Sequence, residues 1–350
     1  MAKNVSVVET TTSSSSKRDA DVSEAISERD CSPSTSSALL TNPETLSVFQ
    51  GFVVAIGVVG LIANGFVFVV MVQIELKKQR STNLLILNQV CLDLFSSMFL
   101  IPTYIVNLMN IYLADQWGYL VCFFIINEIF SWIGLVGSEC CLVLIALERY
   151  AKIVRPISHK KYFRNWMMYV AIAVSWINGF LGTFPANVVS TMVTDGQCLF
   201  ISPIPAGYPS VVYSVFVFIW QLLLPMFLLI YCYVRILQAV RRQAKIHTGN
   251  VSDIHNASNS DARIQMNLIK TMIIITVIFF ISWMPNEVYY FLVNLGYTSI
   301  DSTIWSITTF FTYINVCINP VIYATQYVIL NQRLKSLIFR KSEQTGLTDT

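Results

Sequence analysis

Residues 117–150 read WGYLVCFFIINEIFSWIGLVGSECCLVLIALERY, and this stretch decides the architecture. From Phe123 to Leu147 it is almost wholly apolar and holds no lysine or arginine. A helix rising about 1.5 Å per residue would run roughly 31 Å from Glu128 to Arg149, close to the hydrocarbon thickness of a bilayer. Its polar residues, Glu128, Ser131, Ser138, Glu139 and Arg149, recur near helical spacing. They form a stripe that lipid would reject and other helices could cover, so the segment reads as a central helix enclosed by further spans.

The whole chain is 55% hydrophobic and 12% charged, with a mean hydropathy of +0.59. Soluble domains carry about 25% charged residues, so the composition is that of a membrane protein. Seven stretches are long and apolar enough to span: 48–73, 83–109, 119–148, 167–187, 209–236, 266–294 and 303–326. Continuous apolar runs of this length are helices rather than barrel strands, so the expected fold is all-α, a seven-transmembrane helix bundle. Of the 23 lysines and arginines, four lie in the N-terminal tail and none between spans 2–3, 4–5 or 6–7. The other 19 fall at or near the opposite face. The positive-inside rule makes that face cytoplasmic, with the N-terminus outside and the C-terminus inside. The net charge of +3 then reflects topology and does not point to nucleic acid.

Residues 1–45 are Ser/Thr-rich and lack apolar periodicity, which predicts a disordered outer tail. No apolar run there could serve as a cleavable signal peptide, so the first span is expected to act as the anchor. Asn4-Val5-Ser6 is a glycosylation sequon on the outer side; the sequons at Asn250 and Asn256 fall on a cytoplasmic loop and should stay unmodified. The membrane-spanning body is expected over 46–327. Over 328–340, Leu330, Leu334, Leu337 and Ile338 share a helical face beside Arg333, Lys335 and Arg340, the pattern of a short amphipathic helix lying on membrane lipid. Residues 341–350 complete a cytoplasmic tail.

Certain residues recur in order, one set per span: Asn64; Asp93; Trp117, Cys122 and Glu148-Arg149-Tyr150; Trp176 and Cys198; Pro225 with Tyr233; Phe279, Trp283 and Pro285; Asn319-Pro320-Val321-Ile322-Tyr323. Each is weak alone. Together, in the right helices and at the right depths, the set resembles the class A (rhodopsin-like) G-protein-coupled receptors over about 48–340, most similar to the peptide-type members. The resemblance implies a Cys122–Cys198 disulfide at the outer end of span 3, consistent with an oxidising compartment. Cys122 lies two residues earlier relative to Arg149 than is usual in that family, which predicts a bulged or non-helical end.

The resemblance further implies an activation switch of Phe279, Trp283, Pro285, Asn319, Pro320, Tyr323, Tyr233 and Pro225. It implies a latch of Glu148, Arg149 and Tyr150 that opens to a heterotrimeric G protein, with arrestin as a further cytoplasmic partner. Many relatives hold the arginine with an acidic residue on span 6; here that position is Gln265, which predicts a loose latch and some agonist-independent activity. Prolines 225 and 285 each remove a helix hydrogen bond and permit a kink, a physical means of swinging the inner half of span 6.

Asp93, Glu128, Glu139 and Glu287 are acidic residues at outer or middle membrane depth, with no lysine or arginine at those depths. Each is either protonated or served by a cation from outside the chain. Asp93 has Asn64, Ser138, Asn315 and Asn319 as expected neighbours, a set suited to an allosteric sodium ion; a protonated structural aspartate is the other reading. No cofactor is otherwise expected. Glu128 and Glu287 would face each other across a pocket completed by Ser131, Trp132, Gln221, Asn286, Tyr290 and Tyr313. Carboxylates among aromatic rings suit a basic ligand, an extracellular peptide or a small amine. Glu139 beside Ser138 is either a proton- or ion-sensitive switch or a tolerated neutral acid. Monoamine receptors use an aspartate at the position of Ser131, and opsins need a lysine where Tyr313 stands, so neither class fits directly. A transporter would show inverted repeats, which are absent from the sequence. An enzyme is excluded by the lack of any nucleophile motif or metal-ligand cluster; His159, His247 and His255 all fall on cytoplasmic loops.

Overall fold

The computed structural model describes residues 43–78, 81–109, 111–113, 115–162, 165–194, 196–200, 208–247, 255–298 and 301–326. Asn4 and most of the expected outer tail, the amphipathic helix at 328–340 and the tail at 341–350 lie outside the described residues, as do the side chains of Gln265 and Tyr323.

Spans 1 and 2 are α1 (Pro43–Lys78) and α2 (Ser81–Met109). Span 3 is assembled from α3 (Asp115–Val121), a π-helical turn (Cys122–Ile126) and α4 (Ile129–Val154). A short helix, α5 (Pro156–Tyr162), leads to span 4, α6 (Asn165–Ser190). An antiparallel hairpin of β1 (Thr191–Thr194) and β2 (Gln197–Phe200) follows. Span 5 is α7 (Tyr208–Phe218), a second π-helical turn (Ile219–Leu223) and α8 (Leu224–His247). Spans 6 and 7 are α9 (His255–Asn294) and α10 (Ser302–Gln326). Among the described residues, six spans are long and apolar enough to cross a membrane by themselves. The seventh, α10, is more polar because it buries Thr308, Thr309, Thr312, Asn315 and Asn319 inside the bundle.

The expected central helix is central. Of the 26 residues of α4, 16 are buried, and they lie all round it, which only a helix packed on several sides can show. It touches α2, α6 and α8. The outer helices are inverted relative to a soluble protein: Phe52, Ile62, Phe227 and Ile281 point outward while Asn64, Asp93, Ser138 and Asn319 are buried. That is the surface a lipid solvent selects, since buried polar groups must find partners within the bundle.

The sequence reading expected one continuous helix from Glu128 to Arg149, and this needs correction. Helix α4 begins at Ile129; Glu128 is its N-cap, with left-handed backbone (φ 58°). The expected irregularity at the Cys122 end is present as the π-helical turn. Span 4, expected over 167–187, runs on to Ser190 with Pro185 inside it. The hairpin was not foreseen, although Asp195-Gly196 between β-prone residues is a turn signal. Gly196 has φ 74°, as such a turn requires of its glycine.

Candidate functional site

Cys122 and Cys198 are bonded, with their Cα atoms 5.4 Å apart. The bond ties β2 to the π-helical turn at the head of span 3. Leu113 N–H also donates to the Gly196 carbonyl at 3.0 Å, and Asn127 Nδ2 to Thr191 Oγ1 at 2.6 Å. The hairpin is therefore fastened over the disulfide end of the bundle.

Glu128 sits directly beneath this cover. Its carbonyl accepts the first helical bond of α4 from Trp132 N–H at 3.0 Å, and its Oε2 accepts from Trp132 Nε1 at 3.2 Å. The Tyr104 hydroxyl of α2 is a second side-chain partner. The Trp132 ring continues the contact chain, edge-on to Trp283 (centroids 6.2 Å) and tilted against Tyr313 (6.0 Å); Tyr313 meets Tyr104 at 6.1 Å. Glu128, Trp132, Tyr313 and Trp283 thus converge.

Other residues expected in this pocket are placed differently. Ser131 is fully buried against α2, donating to the Ser96 carbonyl while Ser96 Oγ donates back to the Ser131 carbonyl at 2.9 Å. Gln221 lies in the π-helical turn with its amide near Gly182 of α6. Asn286 Nδ2 donates to Thr309 Oγ1 at 3.0 Å, joining α9 to α10. Tyr290 packs near Trp305 (6.4 Å). Glu287 is buried and does not pair with Glu128; its electrostatic neighbours are Glu139 and Tyr290.

Below this level Phe279 stacks on Trp283 at 5.0 Å. Trp283 Nε1 and the Tyr313 hydroxyl are buried without a hydrogen-bond partner. Tyr233 Oη accepts from Thr276 Oγ1 at 3.2 Å, coupling α8 to α9. Pro225 is the second residue of α8, two positions beyond the end of the π-helical turn. A proline there cannot bond the carbonyl four residues back, and the wide turn is where the helix absorbs that loss.

Both Asp93 carboxylate oxygens are engaged: Ser138 Oγ donates to Oδ1 at 2.7 Å and Asn319 Nδ2 to Oδ2 at 2.9 Å. Gln89 Nε2 donates in turn to Ser138 Oγ. Asn64, expected here, instead donates to the Gly60 and Val316 carbonyls. The Oδ1 atoms of Asn315 and Asn319, one helical turn apart, are buried without partners. A carboxylate beside unpartnered amide oxygens is a donor set suited to a hard monovalent cation.

At the opposite end, Arg149 Nε lies 3.6 Å from Glu148 Oε2, both groups being buried. Glu148 Oε1 is 3.8 Å from His159 Nε2 on α5. Burial holds the His159 imidazole below its usual range, with the Glu148 charge opposing that shift. Tyr150 meets Tyr231 of α8 at 5.8 Å. Sequence reasoning did not single out His159 or Tyr104. His159 carried one usable signal, a lone histidine ten residues after Arg149 on the following loop; Tyr104 carried none, being one aromatic among many.

The description "7 transmembrane receptor (rhodopsin family)" matches residues 63–323. The chain is 26% identical over 295 residues to somatostatin receptor type 1 of Rattus norvegicus, covering 80% of this chain and 70% of that one. It is 28% identical over 298 residues to galanin receptor type 1 of Homo sapiens (80% and 77%) and 24% identical over 291 residues to rhodopsin of Sargocentron spiniferum (81% and 80%). The helix order, the buried polar core, the disulfide and this match agree: the chain belongs to the rhodopsin family of seven-transmembrane receptors, class A of the G-protein-coupled receptors, and is a multi-pass plasma-membrane receptor rather than an enzyme.

Proposed function

We propose that the chain is a receptor for an extracellular agonist, a peptide carrying a basic group, and that it activates a heterotrimeric G protein. Supporting the peptide class are the somatostatin and galanin receptors among its relatives. The observation that carries the basic group is Glu287, a buried acid one helical turn from Trp283 on α9, with no counter-ion among the described residues. The same observation favours a second reading, a small amine that reaches Glu287 directly.

In this reading the disulfide end faces outward, with the N-terminus outside and the C-terminus inside. The agonist enters among α4, α8, α9 and α10 and shifts the Trp132–Trp283–Phe279 ring stack. The kink at Pro285 lets the inner half of α9 move, and Arg149 leaves Glu148 for the G protein. Arrestin would follow at the same face, and lipid covers the outer helix surfaces. Asp93, Ser138, Asn315 and Asn319 would hold a sodium ion, which supplies a fixed positive charge to the core when bound. The decisive experiment is second-messenger output in cells expressing the chain, across a library of basic peptides and amines, repeated on Glu128→Gln and Glu287→Gln. A response lost in either variant at normal surface level supports a cationic agonist; a response unchanged in both refutes it.

A further inference from the structure

The head of span 3 carries its own small apolar cluster, apart from the main core of the bundle. Against it, between α2, span 3 and α6, lies a cavity of about 490 Å³ walled by the rings of Phe95, Phe124, Phe130, Trp176, Phe180 and Phe184. The rings hold one another in place. Phe124 and Phe130, on either side of the break at Glu128, stack at 5.5 Å; Phe180 stacks on Phe184 at 4.6 Å, and Phe95 meets Trp176 edge-on at 5.3 Å. Trp176 is the one wall residue with a polar side-chain atom, and its Nε1 already donates to Asn88 Oδ1 at 3.0 Å. The rim on α6 is formed by Ile177 and Leu181, which are 55% and 60% exposed on the outer surface of the bundle. The cavity therefore opens sideways, into lipid.

One end of this apolar slot is polar. Thr183 and Asn187 stand three residues beyond Phe180 and Phe184 on α6, one helical turn from each wall ring and toward the disulfide end. They are 7% and 6% exposed, and Thr183 Oγ1 and Asn187 Oδ1 have no hydrogen-bond partner among the described residues. Asn187 Nδ2 donates to the Thr183 carbonyl at 3.1 Å, which leaves Oδ1 as an acceptor that lacks a donor. A buried acceptor in that state is costly until a donor reaches it. From Trp176 to Asn187 is 11 residues, or about 16 Å of helix. The occupant that satisfies these walls is long, apolar and delivered by the membrane, with one hydroxyl donor at the disulfide end.

We propose that this cavity is a binding site for a membrane sterol, its fused rings between the aromatic walls and its hydroxyl donating to Asn187 Oδ1. A phospholipid acyl chain fits the walls less well, because a flexible chain loses rotamer freedom in a fixed slot while a fused-ring lipid has none to lose. A phosphatidylcholine head group also brings no hydrogen-bond donor for Asn187. The sterol hydroxyl sits near the leaflet surface at the disulfide end, where the two acceptors stand. Because Phe124 precedes the break at Glu128 and Phe130 follows it, one bound sterol grips both pieces of span 3 and ties them to α6.

The test uses the purified full-length chain in phosphatidylcholine bilayer discs, with cholesterol carrying a photoreactive diazirine in its rings as the probe. Labelling is expected to saturate and to fall on residues 124–133 and 176–184. Ile177→Trp and Leu181→Trp fill the mouth of the cavity from positions that already face lipid, so folding is preserved and labelling is lost; Val234→Trp, on the exposed face of α8, labels as the wild type does. Unlabelled cholesterol competes about fivefold better than cholestane, the same ring system without the hydroxyl, as one added hydrogen bond predicts. In Asn187→Leu the two compete equally. Labelling that does not saturate, or that survives both rim variants, overturns the site. Equal competition by cholesterol and cholestane in the wild type overturns the pairing with Asn187. Oleyl alcohol competing as well as cholesterol overturns the sterol in favour of a simple chain.

Discussion

Gly179→Ala on α6 puts one methyl group into the crossing of α6 with the central helix α4. An added Cβ would stand 2.2 Å from the Ile133 carbonyl oxygen and 3.1 Å from the Gly137 nitrogen, both backbone atoms of α4. Ordinary van der Waals contact begins at 3.4 Å, so α6 and α4 must separate by about 1.2 Å. No flexible side chain is available to give way. Within a membrane, helices associate through close packing and lack a hydrophobic drive toward one another, so lost contact along this seam is not recovered elsewhere. Overpacking of this kind costs about 1–3 kcal/mol, and about 2 kcal/mol corresponds to a fall of roughly 4–8 °C in the midpoint for a domain of this size. Thermal unfolding of the purified chain, followed by a thiol-reactive dye that reports the buried cysteines, measures it. Gly51→Ala is the control: nothing lies within 4 Å of its added Cβ, so only the helix propensity gain of about 1 kcal/mol remains. If Gly179→Ala melts with the wild type while Gly51→Ala behaves as expected, the crossing is not as close as described.

Three further outcomes are expected. Sodium chloride should raise the midpoint above that in N-methylglucamine chloride, and Asp93→Asn should abolish the difference; a difference that survives removes Asp93 from any sodium site. Gln265→Glu should lower agonist-independent nucleotide exchange severalfold, because a charge-assisted bond to the arginine is about twice as strong as a neutral one; unchanged basal exchange refutes the loose latch. His159 has its pKa held below the free value of about 6.5. Its neutral form is favoured in the folded chain, so it contributes stability above pH ~6.5 that is lost as pH falls through the lowered folded value. Midpoints measured over that range should fall less steeply with acid in His159→Gln than in the wild type, and equal slopes would refute the assignment.

The sequence carried the number of spans and their order because twenty-residue apolar runs have no other stable solution in lipid. It also carried the central position of span 3, since a polar stripe on an otherwise apolar span has to be covered by other helices. What it could not carry was helix rotation. Ser131 and Trp132 are neighbours in sequence, yet one hydroxyl faces Ser96 of α2 while the adjacent ring faces Trp283. Glu139 lies 11 residues beyond Glu128, and only the packed bundle shows that the deeper acid is buried while Glu128 is half-buried. Asn64 was grouped with Asp93 on depth alone, but its amide was drawn to the Val316 carbonyl at 2.8 Å. The disulfide followed from family resemblance; the hairpin that carries Cys198 needed turn chemistry that an apolar scan does not weigh.

The two π-helical turns, at Cys122–Ile126 and Ile219–Leu223, bear on how the chain tolerates changes in length. Each accommodates about one residue more than an α-turn, and each separates two helical segments whose faces are set independently. Deleting one residue inside α4 would rotate everything on one side of the cut by about 100° and displace it by about 1.5 Å, turning Trp132 or Asp93's partner Ser138 away from its contacts. A deletion inside a π-helical turn can instead tighten the turn to an α-turn and leave both flanking faces nearly in place. These turns act as slack in the register, and they are where insertions and deletions within spans 3 and 5 should be accepted.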